Sequence, residues 1–177
     1  YKDILRSLRK VKYTTSAGVD GVKPWFWRQA CRASEDNRLA KLLANLANRW
    51  LNGHFDTRMG QLESTGAGTC LFKDLLGEDI RPIIAGTSLR RIISRAIYLR
   101  YYSKLKRVAW NQLGITKRGA DVGVHELREA LVDSAGKGLV GGWFDCANAF
   151  PSVSRQFLGT CVEAFMPELS RIFWFLY

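Results

Sequence analysis

Residues Gly142-Trp143-Phe144-Asp145-Cys146-Ala147-Asn148-Ala149-Phe150 form a short apolar run that ends in a carboxylate and continues through small residues to an aromatic ring. The stretch before it, Leu139 to Phe144, has the length of a buried strand, and Lys137-Gly138 is the turn that starts it. A strand that delivers one Asp at its exit is a way to hold a metal ion. Pro151 and Ser152-Val153-Ser154 close the loop, and Ser154 is placed to cap a helix with Phe157, Leu158, Cys161 and Phe165 on one side. Taken alone, Asp145 reads as a loop carboxylate that caps a neighbouring amide. The residues upstream shift that reading.

Arg81 stands inside the apolar stretch Ile80-Arg81-Pro82-Ile83-Ile84-Ala85-Gly86, directly before a proline that fixes the local backbone. It is either paired to a carboxylate such as Asp79 or aimed at a ligand. Residues 88 to 106 predict a helix whose buried stripe is Leu89, Ile92, Ile93, Ala96 and Ile97. Arg90, Arg91, Arg95, Arg100, Lys104 and Lys106 load the rest of it with positive charge, for which a phosphate backbone is a natural counterion.

The whole chain has the same balance. In 177 residues, Lys and Arg number 27 against 16 Asp and Glu, a net charge of +11, which suits a protein that meets polyphosphate. Six Trp, six Tyr and nine Phe accompany that charge, and rings among basic groups suit stacking on bases, although most belong in a core of a chain that is 47% apolar. The four cysteines, at 31, 70, 146 and 161, lack Cys-x-x-Cys spacing and have only His54 and His125 to join them. They read as thiols in a reducing compartment, not as a zinc site. There is no apolar run of membrane-spanning length and no signal peptide, so no membrane partner is expected. The first residue is Tyr1, as in a processed or trimmed chain.

The elements that must position these groups follow in order. Residues 1–13 read as a short basic helix or arm, residues 14–136 as one region, and residues 137–177 as the start of a further one. Ser16 to Val22 is rich in turn residues, and Trp25, Phe26 and Trp27 follow it. Leu39, Leu42, Leu43, Leu46 and Trp50 predict an amphipathic helix over 38–51 that Gly53 ends. Residues 55–77 read as a hairpin: a strand through Met59 and Leu62, a loop at Gly66-Ala67-Gly68, and a return strand at 69–73. Residues 74–79 read as a loop. A further helix is expected over 121–134, buried at Val124, Leu127 and Leu131. The apolar end, Phe173-Trp174-Phe175-Leu176-Tyr177, suggests a missing partner.

Together these stretches resemble the fingers and the beginning of the palm of a reverse transcriptase of the non-LTR retrotransposon and group II intron type. Ser16-Ala17-Gly18-Val19-Asp20-Gly21 resembles the Gly-x-Asp-Gly turn that opens that domain, and Leu71-Phe72-Lys73 with Ile80-Arg81-Pro82-Ile83 resembles its two fingers motifs. Gln112-Leu113-Gly114 with Lys117-Arg118-Gly119 is similar to the Gln-x-Gly segment ahead of the palm, and Phe144 to Phe150 to the first catalytic motif. The resemblance covers roughly residues 14 to 160. It implies an α+β chain, a reverse-transcriptase-like right-hand fold in which helices surround a small antiparallel sheet.

It also implies roles. Nucleotidyl transfer by two metal ions needs carboxylates to hold the metals and cations to hold the triphosphate. By resemblance, Asp145 is the catalytic ligand of Mg2+, helped by the Phe144 backbone carbonyl. Lys73 and Arg81 reach the triphosphate, and Phe150 is the ring that excludes a ribose 2′-hydroxyl. Gln112 and Gly114 lie near the template, and Arg90, Arg91, Arg95, Arg100, Lys104, Lys117 and Arg118 are the candidate contacts to RNA or an RNA:DNA hybrid.

One departure weighs against catalysis by this chain alone. The family's Tyr-x-Asp-Asp hairpin has no counterpart, since no Asp follows Asp145. Two functions therefore stand: the amino-terminal part of an RNA-directed DNA polymerase, completed elsewhere by a palm and thumb, or a domesticated domain acting as an RNA-binding scaffold of a ribonucleoprotein such as an organellar ribosome. Either places the protein inside the cell, in a nucleus or a mitochondrion, with further protein against the apolar end.

Overall fold

In a computed structural model, the structure describes residues 1–72, 80–138 and 152–176. The chain divides into two compact units, Tyr1–Arg100 with Arg155–Tyr177, and Tyr101–Ser154. As an α+β architecture it is rich in helix, and its sheet among the described residues is a single two-stranded antiparallel ribbon.

The first unit opens with helix α1 (Lys2–Arg9), followed by α2 (Pro24–Ala33) and α3 (Arg38–Leu51). The basic N-terminal segment is a helix with a buried side: Ile4 and Leu8 enter the core, and the Ser7 hydroxyl donates to the Ile92 carbonyl at 3.0 Å. Helix α2 carries the Trp25-Phe26-Trp27 run. Pro24 occupies its first turn, where a missing N–H costs nothing.

Helix α3 forms over the residues its leucine spacing predicts, but its buried line is Ala40, Leu43, Ala47 and Trp50, while Leu42 is exposed. Small residues let α3 approach its neighbours closely, and Ala40 and Ala47 share its buried face with Leu43 and Trp50. Gly53, at φ +76°, follows the helix, with its amide bonded to the Trp50 carbonyl at 3.0 Å.

The strand expected through Met59 and Leu62 is instead helix α4 (Thr57–Ser64). Its start is set by Asp56, whose side chain accepts from the Arg58 and Met59 amides at 2.8 and 3.4 Å. Gly66-Ala67-Gly68, read as a loop, belongs to strand β1 (Gly66–Phe72), which pairs with β2 (Ile80–Gly86) in the register Gly66 to Gly86 and Leu71 to Arg81. The hairpin therefore lies one element further along the chain than its turn residues imply. Residues 74–79, read as a loop, lie outside the described residues.

Helix α5 (Ser88–Val108) begins one residue after β2. Ile92, Ile93, Ala96 and Ile97 are buried, as their spacing predicts. The chain returns to the first unit with α7 (Arg155–Phe165) and α8 (Ser170–Leu176). The apolar end is not bare: Ile172 is buried, and Phe175 stacks on Phe55 with ring centroids 3.7 Å apart and lies 5.5 Å from Trp50. Gly60 makes this possible, since a Cβ there would come within 2.7 Å of the Phe175 ring. Arg171 donates to the Asn52 carbonyl at 2.8 Å.

The second unit holds the end of α5, a short 3-10 turn at Leu113–Ile115 and helix α6 (Gly119–Asp133). The stripe expected to be buried on α6 is exposed: Val124, Leu127 and Leu131 show 66%, 50% and 53% of their surface. No helix among the described residues is long and apolar enough to cross a membrane.

Candidate nucleic-acid interface

The turn Ser16 to Gly21 is pinned to the junction between β2 and α5. The Asp20 carboxylate accepts from both the Ser88 amide and the Ser88 hydroxyl, at 2.8 and 2.7 Å, and its other oxygen takes the Val22 amide at 3.3 Å. A carboxylate at a helix N-terminus satisfies an otherwise unpaired amide and sits at the positive end of the helix dipole. The Ser88 oxygen also accepts from the Trp27 indole N–H at 2.8 Å, so α2 is tied to the same point. Gly18 lies so close to the Gly86 carbonyl that any Cβ would clash with it.

A second carboxylate reaches this helix end from α4. Glu63 is 2% exposed and accepts from the Thr87 hydroxyl, which in turn accepts from the Arg90 amide at 3.0 Å. Burial pushes the Glu63 carboxyl above the usual carboxylate range; the Thr87 bond pulls it back, the nearby Asp20 charge raises it, and Arg90 lowers it. The Arg90 guanidinium donates to the Glu63 carbonyl at 2.8 Å, and that of Arg91 donates to the Ser16 carbonyl at 2.8 Å. Each side chain thus donates to a neutral carbonyl oxygen, and Arg90 also interacts with the Glu63 charge. For Arg91 this gives position without neutralising its charge.

Beside this junction is an open cleft of about 850 Å³, all within the first unit. Arg90, Arg91 and Ser94 of α5 form one wall, Gly60, Gln61 and Ser64 of α4 another, and Ile84 and Gly86 of β2, Arg155 of α7, and Phe175 and Leu176 of α8 complete the lining. Arg90, Arg91 and Arg155 are the charged members of these described lining residues, among which no Asp or Glu occurs.

The basic residues singled out in the sequence thus separate. Arg90 and Arg91 line the cleft, whereas Arg95 is an exposed residue of α5 and Arg100 lines a different, small cavity with Tyr1 and Ile4. Lys104, Gln112, Gly114, Lys117 and Arg118 belong to the second unit. There the Gln112 side chain bends back to accept from the Gly114 amide at 3.2 Å, and Arg118 pairs with Asp121 at 2.7 Å across one exposed turn. Lys73, Phe144, Asp145 and Phe150 lie outside the described residues, as does the Asp79 offered as a partner for Arg81. Among the described residues, no cluster of three His, Cys, Asp or Glu could hold a metal ion. Cys31, Cys70 and Cys161 are free thiols, and burial pushes that of Cys31 up.

Sequence reasoning missed Gln61, Ser64, Glu63 and Arg155. The first three became visible only with α4, whose signal was the Asp56 cap. Arg155 carried no signal at all. Compared with protein-family profiles, with curated proteins and with solved structures, the chain matches none.

Proposed function

We propose that this chain is the fingers and the start of the palm of a reverse transcriptase of the non-LTR retrotransposon and group II intron type, an RNA-directed DNA polymerase completed by a carboxylate pair outside it. The reading rests on the order of four motif-like segments, and one observation carries it furthest. The turn at Asp20 and the fingers pair at Leu71 and Arg81, two of those segments that are far apart in sequence, are neighbours in space. Leu71 stands opposite Arg81 in the ribbon, and Asp20 caps the helix that begins just after the same strand.

In this reading Asp145 and the Phe144 carbonyl hold Mg2+, which supplies Lewis-acid polarisation of the phosphoryl oxygens when bound. Lys73 and Arg81 bind the triphosphate, Phe150 excludes the 2′-hydroxyl, and the arginines of α5 bind the nucleic-acid backbone. The second reading, an RNA-binding scaffold in a ribonucleoprotein, draws support from the arginine-lined cleft, which can bind without any chemistry.

Primer extension on an RNA template, with magnesium and deoxynucleotides, separates the two. The chain is tested alone, joined to a palm and thumb that carry the second carboxylate pair, and with Asp145→Asn in each form. Extension only in the joined form, lost on Asp145→Asn, is the expected result. No extension in any form, with RNA binding indifferent to Asp145→Asn, supports the scaffold instead.

A further inference from the structure

We infer that the groove between α1 and α2 docks an acidic segment of a partner protein, one that carries a bulky apolar residue among its carboxylates. The inference does not rest on the reverse-transcriptase reading. Leu5, Leu8 and Arg9 of α1 and Arg28, Cys31 and Arg32 of α2 line a recess of about 170 Å³. The three arginines are the charged members of that described lining, among which no Asp or Glu occurs. Arg28 donates to the Val11 carbonyl at 2.8 Å, a neutral oxygen that orients the guanidinium without cancelling its charge. Arg28 and Arg32 stand one helical turn apart on α2, and like charges at that spacing destabilise a helix. Arg9 brings a third guanidinium to the same rim from α1. An anion seated there offsets the repulsion.

The floor decides the class of anion. It is made of Leu5, which is half-buried, and of Leu8 and Cys31, which are buried. Among the described lining residues there is no aromatic ring on which a base could stack, and a phosphate backbone would leave the apolar floor wet. A leucine or phenylalanine side chain covers that floor, while carboxylates on either side of it meet the guanidiniums through paired N–H donors.

The test is fluorescence anisotropy of the whole chain with a labelled peptide of about 12 residues built from Glu-Glu-Leu repeats, a matched peptide with Ser in place of each Leu, and oligouridylate of about 12 nucleotides as the nucleic-acid probe. The Leu peptide should bind at least about fivefold more tightly than the Ser peptide. Arg9→Glu and Arg32→Glu should each weaken it about tenfold. Arg58→Glu, the same charge change at an exposed site on α4 outside the groove, should leave it within about twofold. Oligouridylate should lose no more affinity in the groove variants than in Arg58→Glu.

No binding of the Leu peptide, or equal affinity for the Leu and Ser peptides, would overturn the inference. So would oligouridylate weakened by the Arg9 and Arg32 variants as strongly as the peptide, which would make the groove a phosphate site. Circular dichroism checks the fold of each variant, and the comparison of the two peptides needs no variant of the chain.

Discussion

Helices α5 and α6 carry the same kind of apolar stripe and meet opposite fates. On α5, Ile93 is 0% exposed and the helix start is held by its own Thr87 and by Asp20, Trp27 and Glu63 from three other segments. On α6, Val124, Leu127 and Leu131 face solvent, and its N-terminus is served by Arg118 and Asp121 from its own first turn. Periodicity at 3.6 residues specifies which side of a helix is apolar. What covers that side is decided by segments distant in the chain, and only α5 has such segments tied to it among the described residues.

Core truncation should separate the two helices most. Ile93→Ala should cost about 2–5 kcal/mol in urea unfolding because it leaves a cavity, whereas Leu127→Ala should stay within about 0.5 kcal/mol as an exposed substitution. Gly18→Ala should cost about 1–3 kcal/mol, since the turn must move off the Gly86 carbonyl. Equal melting temperatures for Gly18→Ala and the parent would dissolve the distinction between a tied and an untied helix.

Removing the caps compares the two helix starts directly. Asp20→Ala should lose about 1 kcal/mol, and Asp121→Ala, which breaks only an exposed pair, about 0–0.5 kcal/mol. A thermal melt of each variant reads the difference.

The smallest effect is a pH dependence. Because burial raises the Glu63 carboxyl in the folded state, the native protein holds that proton more tightly than the unfolded chain does. Its contribution to stability therefore falls as pH rises from the ordinary Glu value through the raised one, and is constant above both. Glu63→Gln keeps an acceptor for Thr87 and should remove that slope, so its melting temperature should gain on the parent more at pH 7 than at pH 4. A gain that is larger at pH 4 would contradict the assignment.

How far these elements were legible in sequence depended on whether the decisive contact was local. Helices α3 and α5 carry their own signal in repeated apolar residues, and both form where expected. Helix α4 was hidden because its residues lack a strong stripe, and a single capping Asp56 decides its conformation. Helix α2 was hidden in a run of aromatic residues that reads equally as loop or core. The Asp20 turn was visible as a motif, but not its role, because the partner Ser88 lies 68 residues away. For Lys73, Phe144, Asp145 and Phe150 the sequence remains the whole basis.

The stacking of Phe175 on Phe55 also sets an order of events in folding. The first unit is made of two stretches of chain, Tyr1–Arg100 and Arg155–Tyr177, with the second unit between them. During synthesis the helices α1 to α4 emerge with the face around Trp50 and Phe55 open, and they stay so until the intervening residues have left the ribosome. Sealing that face then carries the entropy of closing a long loop, so refolding is slowed by connectivity rather than by any single weak contact.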